Sequence, residues 1–449
     1  MADLSVNLAG IRSPNPFWLA SAPPTNTGDQ IMRAFDAGWG GAVWKTLGDP
    51  IMNVTSRFGG VDYDGRKLMG LNNIELITDR PLEVNLREIR EVKKKYPKHV
   101  VIASLMTETK NDWKVLIKKC EDAGVDGLEL NFGCPHGMCE RGMGSSVGQE
   151  PKLLQEITSW TKEFAKTPVL VKLTPNTGDI VEPGIAAVHG GADGISLINT
   201  IKSLIGVDLD RLVPLPRVGG ASTNGGYCGP AVKPIALHMV AALARDPAIK
   251  IPISGIGGIS NWRDAAEFIA LGSTSVQVCT AVMHYGFRIV EDMIEGLSNY
   301  LDEHGMKSVN ELIGRAVPRY KEWGELDLSY QVIAKIDAQK CIGCQLCVAA
   351  CQDGAHQCIF TGAEDQVRPP QAHHPGTAVA PKPQVMGAVA GARLPWVDEP
   401  ECVGCNLCAL VCPVPGCITM EEVPSGAAPE TWNDRVQAGR DKVPGGIHD

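Results

Sequence analysis

Eight cysteines in the C-terminal quarter fall into two runs of equal spacing. They are Cys341, Cys344, Cys347 and Cys351, then Cys402, Cys405, Cys408 and Cys412, with Pro413 directly after. Both runs read C-x2-C-x2-C-x3-C, a spacing that wraps a short loop around a cubane [4Fe–4S] cluster. Three thiolates of one loop reach three irons of a cube, and the fourth cysteine opens a helix that points away toward the other cube. The expected sets are therefore Cys341, Cys344, Cys347 and Cys412 for one cluster, and Cys402, Cys405, Cys408 and Cys351 for the other. C-x2-C is also a zinc spacing, but four regular cysteines given twice favour iron–sulfur chemistry and single-electron transfer.

A second group of polar residues is spread along residues 1 to about 310. Lys45 and Thr46, Asn131, Lys172, Asn199 and Thr200, Gly257 and Gly258, and Thr280 each stand at the end of a short apolar run. Those runs are FWLASA (17–22), GAVWKTL (41–47), VVIASLM (100–106), DGLELNF (126–132), PVLVKLT (168–174), DGISLIN (193–199), IPISGIGG (251–258) and TSVQVCT (274–280). Each is apolar on both faces, as a fully buried parallel strand reads. Amphipathic helical stretches fill the gaps. Eight such units predict an α/β fold, a closed (β/α)8 barrel, with an open doubly wound sheet as the competitor. In a barrel the strand ends form one face, and that face carries the chemistry.

The segment SGIGGIS (254–260) precedes a helix, and Cys279 and Thr280 follow the next strand. Backbone N–H groups of loops after strands seven and eight suit a phosphate, although glycines also make plain turns. With Lys45 and Lys172 nearby, FMN is the natural ligand, because a cation beside the N1 edge steadies a reduced flavin. A barrel-mouth ion pair is the plainer role for either lysine. No G-x-G-x-x-G follows an early strand, so no Rossmann site for NAD(P) or FAD is expected. The loop NFGCPHGMCERGMGSSVGQEP (131–151) holds Cys134, His136 and Cys139. Cys134 could be a proton donor, a nucleophile or a buried thiol, and Cys139 is its rival on the same loop.

Net charge is −9, so a basic nucleic-acid footprint is absent. The seven cysteines outside the two runs form no disulfide-like framework, which suits a reducing cytoplasm. The N-terminus does not read as a signal peptide, and no apolar run approaches the roughly 20 residues of a membrane helix. Residues 311–335 read as a helical linker, 336–422 as a two-cluster ferredoxin-like α+β module, and 423–449 as a disordered tail. Within the module, 366–394 is a Pro/Ala/Gly-rich insertion with His373 and His374, expected to be a mobile surface segment.

The order LNNIELI (71–77), ELNFGCPHGM (129–138), KLTPN (172–176), INT (198–200), SGIGGI (254–259) and QVCTA (277–281), followed by two ferredoxin motifs, resembles the dihydropyrimidine dehydrogenases, relatives of the dihydroorotate dehydrogenases. The pattern over residues 5–420 is most similar to the pyrimidine-binding subunits of the bacterial NAD-dependent forms. The resemblance implies pyrimidine contacts at Asn73, Asn131, Asn199 and Thr200. It implies FMN contacts at Ser21, Lys45, Thr46, Lys172, Gly229, Gly257, Gly258, Cys279 and Thr280, and makes Cys134 the catalytic cysteine. It further implies uracil and thymine reduction, two [4Fe–4S] clusters, and NAD(H) reached only through a partner FAD/NAD(P) flavoprotein. Two departures stand out: Gly133 replaces a serine of the animal enzymes, and the insertion between the cysteine motifs is longer than usual. A dihydroorotate-type dehydrogenase, with Arg141 as the one nearby cation for a carboxylate, and a non-catalytic electron-transfer subunit are the alternatives.

Overall fold

In the computed structural model, residues 1–49, 52–63, 66–361 and 394–441 are described. The chain divides into two units, Met1–Tyr320 and Lys321–Asp449. In the first, the eight apolar runs become β1 (Phe17–Leu19), β2 (Gly41–Leu47), β3 (Val100–Leu105), β4 (Gly127–Asn131), β5 (Val169–Lys172), β6 (Gly194–Leu197), β7 (Ile253–Ile256) and β8 (Ser273–Val278). They close in the order β6-β7-β8-β1-β2-β3-β4-β5, every neighbour parallel. The open-sheet alternative is thereby excluded.

Burial follows from the pleat. Alternate side chains of a barrel strand point outward to the helices and inward to the lumen. The outward set joins the large core with the helices, through residues such as Trp44, Leu128 and Val276. At the N-terminal end of the lumen, Trp18, Val43, Val100, Ile102 and Leu170 form a separate apolar plug with Leu8 and Ile11. The last two come from an antiparallel hairpin, Val6–Leu8 and Ile11–Ser13, that closes the barrel floor. Each buried side chain there contributes about 1.5–3 kcal/mol. Higher in the lumen the filling turns polar: Glu129, Ser196, Ser254, Ser275 and Gln277 are all essentially inaccessible.

A four-stranded antiparallel sheet is added to this barrel by Phe58–Tyr63, Arg66–Asn73, Ile201–Ser203 and Gly225–Cys228. The apolar runs do not predict it. Its strands are short, glycine-rich and mixed in polarity, so they lack the continuous signal of a buried parallel strand.

The second unit has a strand Gln331–Ile336 paired antiparallel with Ile418–Val423, and a second pair, Ile359–Thr361 with Pro395–Val397. Helices Leu346–Gly354 and Leu407–Val411 follow the two cysteine loops. Two expectations are corrected here. The segment 311–335 is not a helical bridge; it holds 3-10 turns at Val317–Arg319 and Trp323–Glu325 and, from Gln331, the first strand of this unit. The tail is not disordered from 423. It carries a helix, Trp432–Gln437, whose Thr431 side chain caps Asp434 N–H. Trp432 lies 6.1 Å from Trp323 ring to ring, and Leu328 N–H donates to Glu430. Composition suggested disorder, but a capped turn and one aromatic pair suffice to order a short helix. The insertion with His373 and His374 lies outside the described residues, as does 442–449.

Candidate active site and cluster cavities

The strand ends of the barrel surround a cavity of about 1100 Å³, its open mouth included. Ser21, Lys45, Thr46, Asn73, Asn131, Cys134, Lys172, Asn199, Thr200, Gly229, Gly257, Gly258, Cys279 and Thr280 all line it. Residues scattered over 260 positions of sequence thus meet in one place because eight parallel strands end there.

One edge of the cavity is a chain of hydroxyls and amides. Thr46 Oγ1 lies 2.9 Å from Ser104 Oγ and 3.2 Å from Ser21 Oγ, and it accepts from Asn131 Nδ2 at 3.0 Å. Asn131 Oδ1 accepts from Asn199 Nδ2 at 2.9 Å, and Asn199 Oδ1 accepts from Thr200 N–H at 2.8 Å. Asn73 Nδ2 donates to the Gly226 carbonyl at 3.1 Å. Each amide group keeps further donor or acceptor capacity for a ligand. Asn72, the neighbour of Asn73, is fully buried and bonds Ser203 instead, as alternation along a strand requires.

The two lysines are buried at the same mouth. Lys45 Nζ lies 2.9 Å from the Glu75 carboxylate, which Arg57 also reaches at 3.0 Å. Lys172 Nζ stands 3.9 Å from Glu129, beyond hydrogen-bond range. Glu129 is held from the other side, where Ser196 and Gln277 donate to Oε2 at 2.8 and 3.0 Å, while Oε1 has no hydrogen bond. Both lysines therefore stand in ion pairs and also line the cavity. The sequence reasoning missed Glu75, although it sits in the quoted run LNNIELI. Nothing in its type or spacing marks it as the partner of Lys45.

The opposite edge is backbone. Gly229, Gly257 and Gly258 have φ of 97°, 131° and 76°, a region side chains resist. A Cβ on Gly258 would meet the Gly229 carbonyl at 2.9 Å, and one on Gly257 the Ala236 methyl at 2.7 Å. The cradle is one that only glycine leaves open, next to the start of helix Thr280–Tyr285. Burial pushes the Cys279 thiol up to about 12, and it also raises Cys228, whose sulfur accepts from the Thr280 hydroxyl at 3.2 Å. Both are neutral thiols at pH 7. Cys228, like Tyr227, lines the cavity without any signal in the spacing.

The loop that leaves β4 brings Cys134 to the mouth. Its glycines serve packing: a Cβ on Gly148 would sit 2.0 Å from the Phe132 carbonyl, and one on Gly133 would sit 2.3 Å from the Asn199 Cβ. Ser145 N–H donates to the Cys134 carbonyl at 3.0 Å. Ile77, Met106, Met138 and Met143 form an apolar cluster against which Cys134 packs. Cys134 Sγ is 3.5 Å from the His136 carbonyl. His136 is buried and lies 3.0 Å from the Glu75 carbonyl through Nε2, and burial lowers its pKa, so the imidazole is neutral at pH 7. The Cys139 side chain lies outside the described residues. Arg141 is paired with Glu108 at the surface.

In the second unit each cysteine loop lines its own cavity. The first, of about 320 Å³, is lined by Cys341, Cys344, Cys347, Cys412 and Cys417. The second, of about 310 Å³, is lined by Cys351, Cys358, Cys402, Cys405 and Cys408. The fourth cysteine of each motif lines the cavity of the other. Gln345 and Asn406, at equivalent places, share a left-handed backbone with φ of 65° and 69°. A group of thiols around each small cavity, with Cys344 and Cys405 exposed, fits the ligand set of a cubane cluster.

The dihydroorotate dehydrogenase family profile matches residues 3–301, and a 4Fe-4S binding domain profile matches 334–355. The NAD-dependent dihydropyrimidine dehydrogenase subunit PreA of Escherichia coli (strain K12) is 42% identical over 423 residues, which is 94% of this chain and 96% of that protein. The chain belongs to the dihydropyrimidine dehydrogenase family. The chloroplastic dihydropyrimidine dehydrogenase (NADP(+)) of Arabidopsis thaliana is 43% identical over 70% of this chain and 77% of its own. The catalytic subunit of dihydroorotate dehydrogenase B (NAD(+)) of Pyrococcus horikoshii is 38% identical over 70% of this chain and 98% of its own. Almost the whole of that last relative is thus matched by part of this chain. The protein is an oxidoreductase of the dihydropyrimidine dehydrogenase type, an FMN barrel with a [4Fe–4S] unit. Among the described residues no helix is long and apolar enough to cross a membrane.

Proposed function

We propose that this chain reduces the C5–C6 bond of uracil and thymine, reversibly, as the pyrimidine-binding subunit of an NAD-dependent enzyme. The observation that carries the reading is the amide chain Asn131–Asn199–Thr200 beside Cys134 in one cavity. Uracil alternates C=O and N–H along its edge, and asparagine side chains offer a donor and an acceptor side by side. Asn73, Asn131, Asn199 and Thr200 orient the ring, and the buried walls hold water away from it.

FMN fits the rest of the cavity. Gly229, Gly257, Gly258, Cys279 and Thr280 suit its phosphate through backbone N–H groups. Ser21, Lys45, Thr46 and Lys172 suit the ring, with Lys172 only loosely engaged by Glu129. When held there, FMN would supply the hydride that C6 of the pyrimidine takes up. Cys134 then places a proton on C5 of the pyrimidine. In the reverse direction the thiolate accepts that proton.

The eight motif cysteines would hold two [4Fe–4S] clusters that carry single electrons. The reading assigns NAD(H) to a partner flavoprotein, and the reaction to the cytoplasm, where free thiols persist. A dihydroorotate reading needs a cation for the substrate carboxylate, and Arg141 is engaged by Glu108.

The test is a single turnover. Anaerobic chain reduced with dithionite and mixed with uracil in D2O yields 5,6-dihydrouracil with deuterium at C5. Flavin that stays reduced, with no dihydrouracil by mass spectrometry, would remove the reading.

A further inference from the structure

Each cluster cavity holds one more thiol than a cube can use. Cys358 lines the second cavity and Cys417 the first, and both are buried. They occupy similar places: each follows the fourth cysteine of a motif within a few residues (Cys351 before Cys358, Cys412 before Cys417), stands directly before an isoleucine (Ile359 or Ile418), and leads into a strand. Each lines its cavity together with the fourth cysteine of its own motif and the first of the other. Cys358 lies 3.6 Å from Cys351 sulfur to sulfur.

The two thiols differ in where their proton can go. Cys417 Sγ has the Asp337 carbonyl at 3.7 Å as an oxygen acceptor. The Cys358 thiol has the Cys351 sulfur at 3.6 Å, and its backbone N–H also donates to Cys351 Sγ at 3.3 Å. Hydrogen bonds to cluster sulfurs stabilise the more electron-rich, reduced cluster and raise its potential.

We infer that Cys358 is a buried S–H donor to the sulfur ligands of the cluster held by Cys351, Cys402, Cys405 and Cys408, and that it raises the reduction potential of that cluster relative to the same cluster without it. Cys358 is a positioning residue, not a ligand, and Cys417 is its weaker counterpart because a carbonyl competes for its proton. The inference rests on the two-cluster reading above. It gives two otherwise similar cubes different potentials, which sets the direction in which single electrons settle within the unit.

The experiment uses the full chain, purified without oxygen, in wild-type, Cys358→Ala and Cys358→Ser forms. Iron content and EPR-monitored redox titration are read for each. The alanine variant keeps its iron, and one cluster moves to a more negative potential while the other stays. The serine variant lies between, because a hydroxyl restores a donor. Resonance Raman bands of Fe–S(Cys) stretching shift on exchange into D2O in the wild type, and this part of the shift is absent from Cys358→Ala. Where alanine fails to assemble, the wild-type D2O shift and the serine titration decide alone. Unchanged potentials, or loss of one cluster's iron in both variants, would overturn the inference, the latter by making Cys358 a ligand. A wild-type chain without [4Fe–4S] signals would remove the two-cluster reading itself.

Discussion

Cys134 is the one side chain at the cavity to which a proton transfer is assigned, and it stands on the loop that leaves β4. Its thiol meets a carbonyl, its neighbour His136 is neutral, and an apolar methionine cluster backs it. Cys134→Ala is therefore expected to keep FMN and iron while turnover falls about 10²–10⁴-fold. Cys134→Ser retains little, because a hydroxyl is a far weaker acid. Steady-state turnover beside flavin and iron content checks this, and near wild-type turnover in the alanine form would shift the role elsewhere on the loop. The sequence brought Asn131, Asn199 and the lysines into view because such side chains are poor core material at strand ends, and Cys134 because it stands on a glycine-rich loop three residues past Asn131; Asn73 came only from the family resemblance. It did not bring in Glu75 or Cys228, which are ordinary residues made significant only by whom they face.

At the scale of elements, the barrel strands were readable because each is buried on both faces and so reads as a continuous apolar run. The added antiparallel sheet was not, since FGGVDY, IKS and GGYC carry neither alternation nor length. Yet that sheet brings Asn73 to the cavity. The glycine cradle after β7 gives an element-level prediction. Gly258→Ala places a methyl against the Gly229 carbonyl at a left-handed φ, a strain of about 1–3 kcal/mol. The flavin-to-protein ratio after purification should drop, with both clusters retained; full flavin occupancy would argue against a phosphate cradle there. Outside the barrel, Arg80 joins two helices by bonding Glu88, whose carboxylate also accepts from Gly28 N–H at 2.8 Å, the start of helix Gly28–Ala37. The Arg80 guanidinium first, and the Gly28 N–H next, hold the Glu88 carboxyl below its ordinary range. A depressed folded pKa stabilises above the unfolded value, near 4.3, and that stability is lost as pH falls through the folded one. Glu88→Gln should thus lower the melting temperature at about pH 7, and the gap to wild type should close below about pH 4. A gap that stays constant with pH would contradict the assignment.

The whole molecule combines a barrel that belongs to the dihydroorotate dehydrogenase family with a unit whose two thiol-lined cavities each borrow a cysteine from the other motif. That exchange predicts an asymmetric outcome: Cys412→Ala should damage the cluster of Cys341, Cys344 and Cys347 and spare the other, as EPR of the reduced protein reports. Damage confined to the second cluster would contradict it. Electron supply is a property of the assembly in this account, so NADH or NADPH alone should not bleach the flavin on a stopped-flow timescale, and rapid bleaching would mean a nucleotide site in this chain. Whether the cavity is built for a neutral pyrimidine is decided by mixing the oxidised, partner-free chain anaerobically with 5,6-dihydrouracil and, separately, with dihydroorotate. Flavin absorbance should fall with dihydrouracil, not in Cys134→Ala, and should stay unchanged with dihydroorotate. Bleaching by dihydroorotate with dihydrouracil inert would contradict that reading.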